Sequence, residues 1–190
     1  MYILKKTGDF YMKRILLLFT ILLVSVLTTA CINNLAIQEL NNKAVAYMDK
    51  GDTETAICRL KSSLDLDAEI YETHYNLAIA YNNIQEYAKA ITELKQVLQL
   101  KPDFFDAYYT IAVVQEAIAY KVLETASIDE KGEKKLSQDE IIAFTSSLKE
   151  AITSYNTYTS KKIDAKDLND VKKKIAELYE EIQKYSSIKE

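Results

Sequence analysis

The chain repeats itself at a fixed interval. Segment 71–104, YETHYNLAIAYNNIQEYAKAITELKQVLQLKPDF, overlays segment 37–70 at a shift of 34 residues, without a gap. Ala44 falls on Ala78, Tyr47 on Tyr81, Ala56-Ile57 on Ala90-Ile91, Leu60 on Leu94, Leu64 on Leu98 and Leu66 on Leu100. Inside segment 71–104, Leu77, Ala78 and Tyr81 recur at helical spacing. After the polar turn 82–86, Ala90, Ile91, Leu94, Val97, Leu98 and Leu100 do the same, and Pro102 closes the unit. A helix–turn–helix that recurs at this period cannot bury its apolar face alone and must stack on copies of itself. The fold class is therefore all-α, an α-solenoid of about three helix hairpins. Short side chains at Ala44, Ala56, Ala78 and Ala90 let helix axes approach to ~8–10 Å. Tyr47 and Tyr81 fill the space between units, and Leu60 and Leu94 supply bulk to the core.

A third unit starts on schedule at 105. Tyr108, Ile111 and Ala112 take the places of His74, Leu77 and Ala78, while Gln115 replaces the expected Tyr. The alanine of its second helix is due at 124 but appears at Ala151, so 27 extra residues lie between the halves (151 − 124). The third unit is thus 105–160 with an insertion near 121–147, and its two helices are longer than usual. The insertion holds the polar stretch 127–137, SIDEKGEKKLS, the most loop-like of the chain. Ser137 and Glu140 then have the spacing of a capping box, and Ile141, Leu148, Ile152, Tyr155 and Thr159 keep one helix face apolar. A last helix begins near Asp164, with Leu168, Val171, Ile175, Leu178, Ile182 and Tyr185 at steps of three and four. It reads as a C-terminal capping helix, 164–190, that covers the last apolar face; a dimerisation seam is the other reading.

These residues resemble the tetratricopeptide repeat, which asks for small residues at its eighth and Ala at its twentieth positions. It also asks for Tyr at the eleventh, a large apolar residue at the twenty-fourth and Pro at the thirty-second. The second unit matches with Ala78, Tyr81, Ala90, Leu94 and Pro102; the first is looser, with Ala68 for the proline and Lys43 where Leu77 stands. The resemblance implies that the first helices of the pairs line a concave groove. Carried over by position, the peptide-binding lining is Asn41, Asn42, Val45, Tyr75, Asn76, Ile79, Tyr109, Thr110 and Val113. Family members that hold a terminal carboxylate use Lys and Arg in such places, and this lining has none. It offers Asn amides and amphipathic tyrosines, with Glu72, Asp106 and Glu116 at its edges, which favours a neutral or basic segment.

The N-terminus reads as an address rather than as fold. Met12-Lys13-Arg14 precedes an apolar run from Ile15 to Val26, followed by Leu27-Thr28-Thr29-Ala30-Cys31. A basic start, a short apolar stretch and small residues before a cut make a secretory signal, 1–30. The run is shorter than the ~20 apolar residues a membrane-crossing helix needs. Its end resembles a bacterial lipobox, although Thr28 stands where Leu is preferred. The resemblance implies that Cys31 is lipidated and becomes the mature N-terminus, joined to the repeats by a tether, 31–36. Each buried methylene contributes ~0.8 kcal/mol, so two or three acyl chains anchor stably. The alternative is an uncleaved anchor helix, and Met12 is a second candidate for the start. Ile32 and Asn33 after the cysteine resemble an export signal to the outer membrane of a two-membrane bacterium.

Composition narrows the function. Beyond residue 30 the chain has 20 basic and 27 acidic residues (24 − 4 and 28 − 1), a balance of −7 that offers no footprint for nucleic acid. With Cys31 acylated, Cys58 is left single and reads as a semi-buried filler beside Leu60. His74 is the single histidine, in a slot usually held by a large aromatic, and reads as a packing residue. One histidine and one spare cysteine supply no zinc set, and three glycines form no phosphate loop, so neither metal nor cofactor is expected and the chain is not read as an enzyme. The expectation is a membrane-anchored adaptor in a bacterial cell envelope, its groove taking a protein or peptide partner. The alternative is a structural lipoprotein that homo-oligomerises through its terminal helices; capture of a small ligand needs an enclosed apolar pocket.

Overall fold

The computed structural model describes residues 2–128, 134–162 and 166–187, and within the first helix the side chains of 12, 14–22, 24 and 32 onward. Seven helices lie among the described residues: α1 (Tyr2–Met48), α2 (Thr53–Leu66), α3 (Tyr71–Asn83), α4 (Tyr87–Leu100), α5 (Asp106–Thr125), α6 (Gln138–Lys161) and α7 (Leu168–Ser186). The end of α1 pairs with α2, α3 with α4, and α5 with α6, and each hairpin packs on the next. α7 packs on α6 and closes the stack. Helix starts keep step with the sequence period: Thr53 and Tyr87 are 34 residues apart.

The turns repeat as faithfully as the helices. Gly51 (φ 80°) and Gln85 (φ 60°) stand one period apart, both in the left-handed region. In each turn the backbone closes a Schellman motif. Gly51 N–H donates to Met48 O and Asp52 N–H to Tyr47 O; Gln85 N–H donates to Asn82 O and Glu86 N–H to Tyr81 O. Glycine enters that conformation without a steric penalty, whereas glutamine carries a Cβ against the next carbonyl. In the third unit the corresponding position is Ala119, which is fully buried in mid-helix. The turn is skipped there, so α5 reaches 20 residues and α6 reaches 24, against 13 or 14 for α2, α3 and α4. The expected long hairpin is present, and Ser137 and Glu140 form the expected capping box at its return. Its tip holds a feature the sequence reading lacked, a two-residue antiparallel ladder pairing Ser127–Ile128 with Lys134–Lys135.

The alanines do what close packing requires. Ala44, Ala56, Ala78, Ala90, Ala112 and Ala151 have no exposed surface, and neither do Leu60 and Leu94. One core joins the first two hairpins to the start of α5; a second, built on Phe144, Leu148, Ile152 and Tyr155, joins the third hairpin to α7. α7 buries Val171, Ile175, Leu178 and Ile182 inside the chain, as a capping helix does. Residues 163–165, where Asp164 was expected to begin it, lie outside the described residues.

Two expectations change. Cys58 is exposed rather than semi-buried. Ile57 and Leu60 point inward from α2, and the 100° step per residue turns the side chain at 58 away from that stripe. The six residues 31–36 expected as a tether have helical backbone inside α1, which runs unbroken into the first hairpin.

Leu94→Ala is expected to cost about 2–5 kcal/mol, because its fully buried side chain leaves a cavity. Gln85→Gly is expected to stabilise by up to about 1 kcal/mol by relieving the left-handed turn, less the entropy glycine adds to the unfolded chain. Urea denaturation reads both; a neutral Leu94→Ala or a destabilising Gln85→Gly contradicts the hairpin register.

Candidate functional site

The first helices of the three hairpins form a row, since α1 touches α3 and α3 touches α5. All nine residues assigned to the groove lie on this row, but they divide into two kinds. Some of them hold the helices to one another. The Asn41 amide donates to Ser63 Oγ (3.0 Å) and Thr73 Oγ1 (2.9 Å), and the Asn76 amide donates to Asn41 Oδ1 (3.0 Å). Ser63 and Thr73, both fully buried, share a further bond of 3.2 Å. This ladder ties α1, α2 and α3 together at a level where each unsatisfied polar group is costly. Tyr75 plays a similar part between the second and third units: its ring meets Phe104 edge-on at 5.0 Å and its hydroxyl bonds Thr110 Oγ1 at 3.0 Å. Thr110 itself donates to Asp106 O. Ile79 and Val113 are half-buried.

The others face outward. Asn42 is exposed, Val45 is 40% exposed and Tyr109 is 36% exposed. Tyr109 rests on two buried tyrosines of α6, Tyr155 (ring centroids 5.5 Å, edge-on) and Tyr158 (5.3 Å). Behind them, the Tyr155 hydroxyl donates to the buried carboxylate of Glu116 at 2.5 Å, and Lys174 from α7 lies 3.5 Å from that carboxylate's other oxygen. Tyr158 donates to Asp167 (3.0 Å). Lys162, the cap residue of α6, pairs with Asp106 and places its ammonium 5.7 Å from the Tyr158 ring centre. The 34-residue spacing marked Tyr109 but not Tyr155, Tyr158 or Lys162, which lie beyond the insertion.

Burial raises the affinity of these phenols for their protons, and the acceptor carboxylates add to it. Tyr158 is pushed up to about 12 by burial, then by Asp167, with Asp106 and Tyr109 contributing. Tyr155 and Tyr120 are raised for the same reasons, beside Glu116 and Glu181 respectively.

His74 is buried and engaged at both ring nitrogens, Nε2 donating to Ala68 O (2.9 Å) and Nδ1 lying 2.6 Å from Glu93 Oε2. Packing is only half its role: it pins the loop before α3 to α4. Cys31 lies on α1, but its side chain is outside the described residues. Ile15–Phe19, Ile21, Leu22 and Val24 are all exposed. Among the described residues no helix is long and apolar enough to cross a membrane.

The family pattern described as TPR repeat matches residues 80–118, spanning α4 and parts of α3 and α5. Among solved structures, the chain is similar to the first TPR domain of human RPAP3, at 16% identity, with 78% of this chain and 95% of that chain covered and a TM-score of 0.57. The TPR2B domain of yeast Sti1, solved as a complex with pHsp70, follows at 15% identity, 79% and 98% coverage and a TM-score of 0.55. The domain has the TPR fold. The second TPR domain of human RPAP3, in complex with the HSP70 peptide SGPTIEEVD, is similar at 17% identity, 76% and 98% coverage and a TM-score of 0.54. A comparison with curated proteins found no match. In the TPR row of this chain the assigned lining has no Lys or Arg, and its outward groups are apolar, amide and phenol.

The raised tyrosines give a signed pH dependence. An unfolded Tyr158 releases its proton near pH 10, while the folded one holds it to about 12, so this group favours folding fully below pH 10 and loses that contribution as pH rises to 12. Tyr158→Phe is therefore expected to flatten the fall in stability between pH 10 and 12, measured by denaturant titration at each pH. Parallel slopes for the two proteins contradict the assignment.

Proposed function

We propose that the chain is a lipid-anchored adaptor of a bacterial cell envelope, which holds a peptide segment of a partner protein along the row α1–α3–α5. The observation that carries the reading is the division of that row. Asn41, Asn76, Tyr75 and Thr110 lock the helices at fixed spacing, while Asn42, Val45 and Tyr109 stay exposed on the rigid face so formed. A rigid face of tyrosine, amide and aliphatic groups suits an extended segment, because the protein gives up little freedom when it binds. The complexes of an RPAP3 domain with an HSP70 peptide and of the Sti1 domain with pHsp70 give a precedent for the fold, not for the ligand. The EEVD-ending peptide of the RPAP3 complex is acidic, whereas the edges of this row carry Glu72 and Asp106; Glu116, expected there too, is buried against Tyr155 and Lys174 instead.

Anchoring rests on the sequence around Cys31 and on the exposed apolar residues Ile15–Phe19, Ile21, Leu22 and Val24 that precede it. Cleavage before Cys31 and acylation of its thiol place the first hairpin close to the bilayer, on the outer membrane where the bacterium has two. Against homo-oligomerisation through the last helix stands the burial of α7's apolar stripe within its own chain, which leaves mainly charged residues and Tyr179 outward.

Two substitution sets test the two halves separately. Cys31→Ser is expected to move the protein from the membrane to the soluble fraction while leaving partner capture intact. The set Asn42→Ala, Val45→Glu and Tyr109→Ala, which spares the helix-locking residues, is expected to lower capture at least ~tenfold with the melting profile retained. Unchanged capture by that set removes the groove from the account; membrane retention of Cys31→Ser removes the lipid anchor.

A further inference from the structure

The third unit's end of the row carries a group that the docking face itself does not explain. Lys162 leaves the C-terminus of α6, pairs with Asp106 in the first turn of α5, and lies over the face of Tyr158. Tyr109 stands beside the same ring at 5.3 Å and shows its own surface to solvent. We propose that Asp106, Tyr109 and Tyr158 form a subsite for one basic side chain of the docked peptide, with Lys162 holding it in the free chain. This rests on the row being the docking face and specifies the chemistry of what docks there.

Three observations carry it. First, the place already accepts a cation: the Lys162 ammonium sits between a carboxylate and an aromatic face, the arrangement that favours ammonium or guanidinium groups. Second, the cation is exchangeable. The side chains of Lys162 and Asp106 are 35% and 41% exposed, and an ion pair so open to water holds its partner weakly. The neighbouring buried carboxylate, Glu116, differs in being held by both Tyr155 and Lys174, so it is committed to structure. Third, the position is reached along the row: Thr110, next to Tyr109, bonds Tyr75 of the second unit, so a chain laid across Tyr75 meets Asp106 and Tyr109 next. Arginine fits better than lysine, because its planar fork can stack on tyrosine while bonding the carboxylate through two N–H groups. An acidic residue is disfavoured at the same place.

The test uses the full chain and two short extended peptides, identical except for a central arginine or its neutral isostere citrulline. Binding is read by fluorescence anisotropy. The wild-type protein is expected to prefer arginine by a few-fold, Lys162→Ala to raise that preference about tenfold, and Asp106→Asn to abolish it in either background. Tyr109→Leu, which keeps apolar area but removes the ring, is expected to weaken the preference with no loss of fold, so the proposal does not depend on one variant folding. If Lys162→Ala binds both peptides tightly and equally, the docking face stands and the subsite falls. If neither peptide binds any of the proteins, the docking face falls and takes the subsite with it.

Discussion

The architecture depends on helix axes coming close together at alanine. The small residues of the helix pairs are shut away between packed helices: Ala44, Ala56, Ala78, Ala90, Ala112 and Ala151 are all completely covered. Close crossing fixes the distance between units, and the fixed distance gives Leu60 and Leu94 a slot that they fill without exposed surface. It also brings side chains on successive first helices within hydrogen-bonding range, which is how Asn76 reaches Asn41 and Tyr75 reaches Thr110 across 35 residues of sequence. A larger residue at any of these crossings must push apart helices that share those polar bonds.

Much of this was legible because repetition compares the chain with itself. A residue that recurs at 34 under helical spacing faces inward twice, so the hairpins, their order and most of their core could be read without coordinates. The same comparison aligns Gly51 with Gln85, yet residue type alone hides that both adopt the left-handed turn, since glutamine rarely does. The third hairpin was legible in outline only. Its helices were seen to be long, but the ladder at its tip involves two strands of two residues each, too short for any periodic pattern.

The site was harder to read than the fold. Positional analogy places the nine residues on α1, α3 and α5, but it does not say which of them a neighbouring helix will claim. Asn41 and Asn76 looked like amides offered to a ligand; instead Asn41 donates to Ser63 of α2 and Thr73 of α3, and Asn76 donates to Asn41. The tyrosines under Tyr109 come from beyond the insertion, where the period no longer aligns positions. Cys58 shows the reverse error, since proximity in sequence to Leu60 did not make it a core residue. Such pairings are set by the packing of three helices at once, which no single helical face encodes.

What emerges is a stack whose row α1–α3–α5 is held by polar side chains that bond one another, and whose outward groups are aliphatic, amide and phenol, with acidic residues at the edges. The central claim is that partners meet this row rather than the outer helices. Amide hydrogen exchange of the full chain, with and without a captured partner, tests it most directly. The account predicts added protection in α1, α3 and α5 around Asn42, Val45, Tyr75 and Tyr109, with α2 and α4 unchanged. Protection confined to α2, α4 or the outward face of α7 would contradict it.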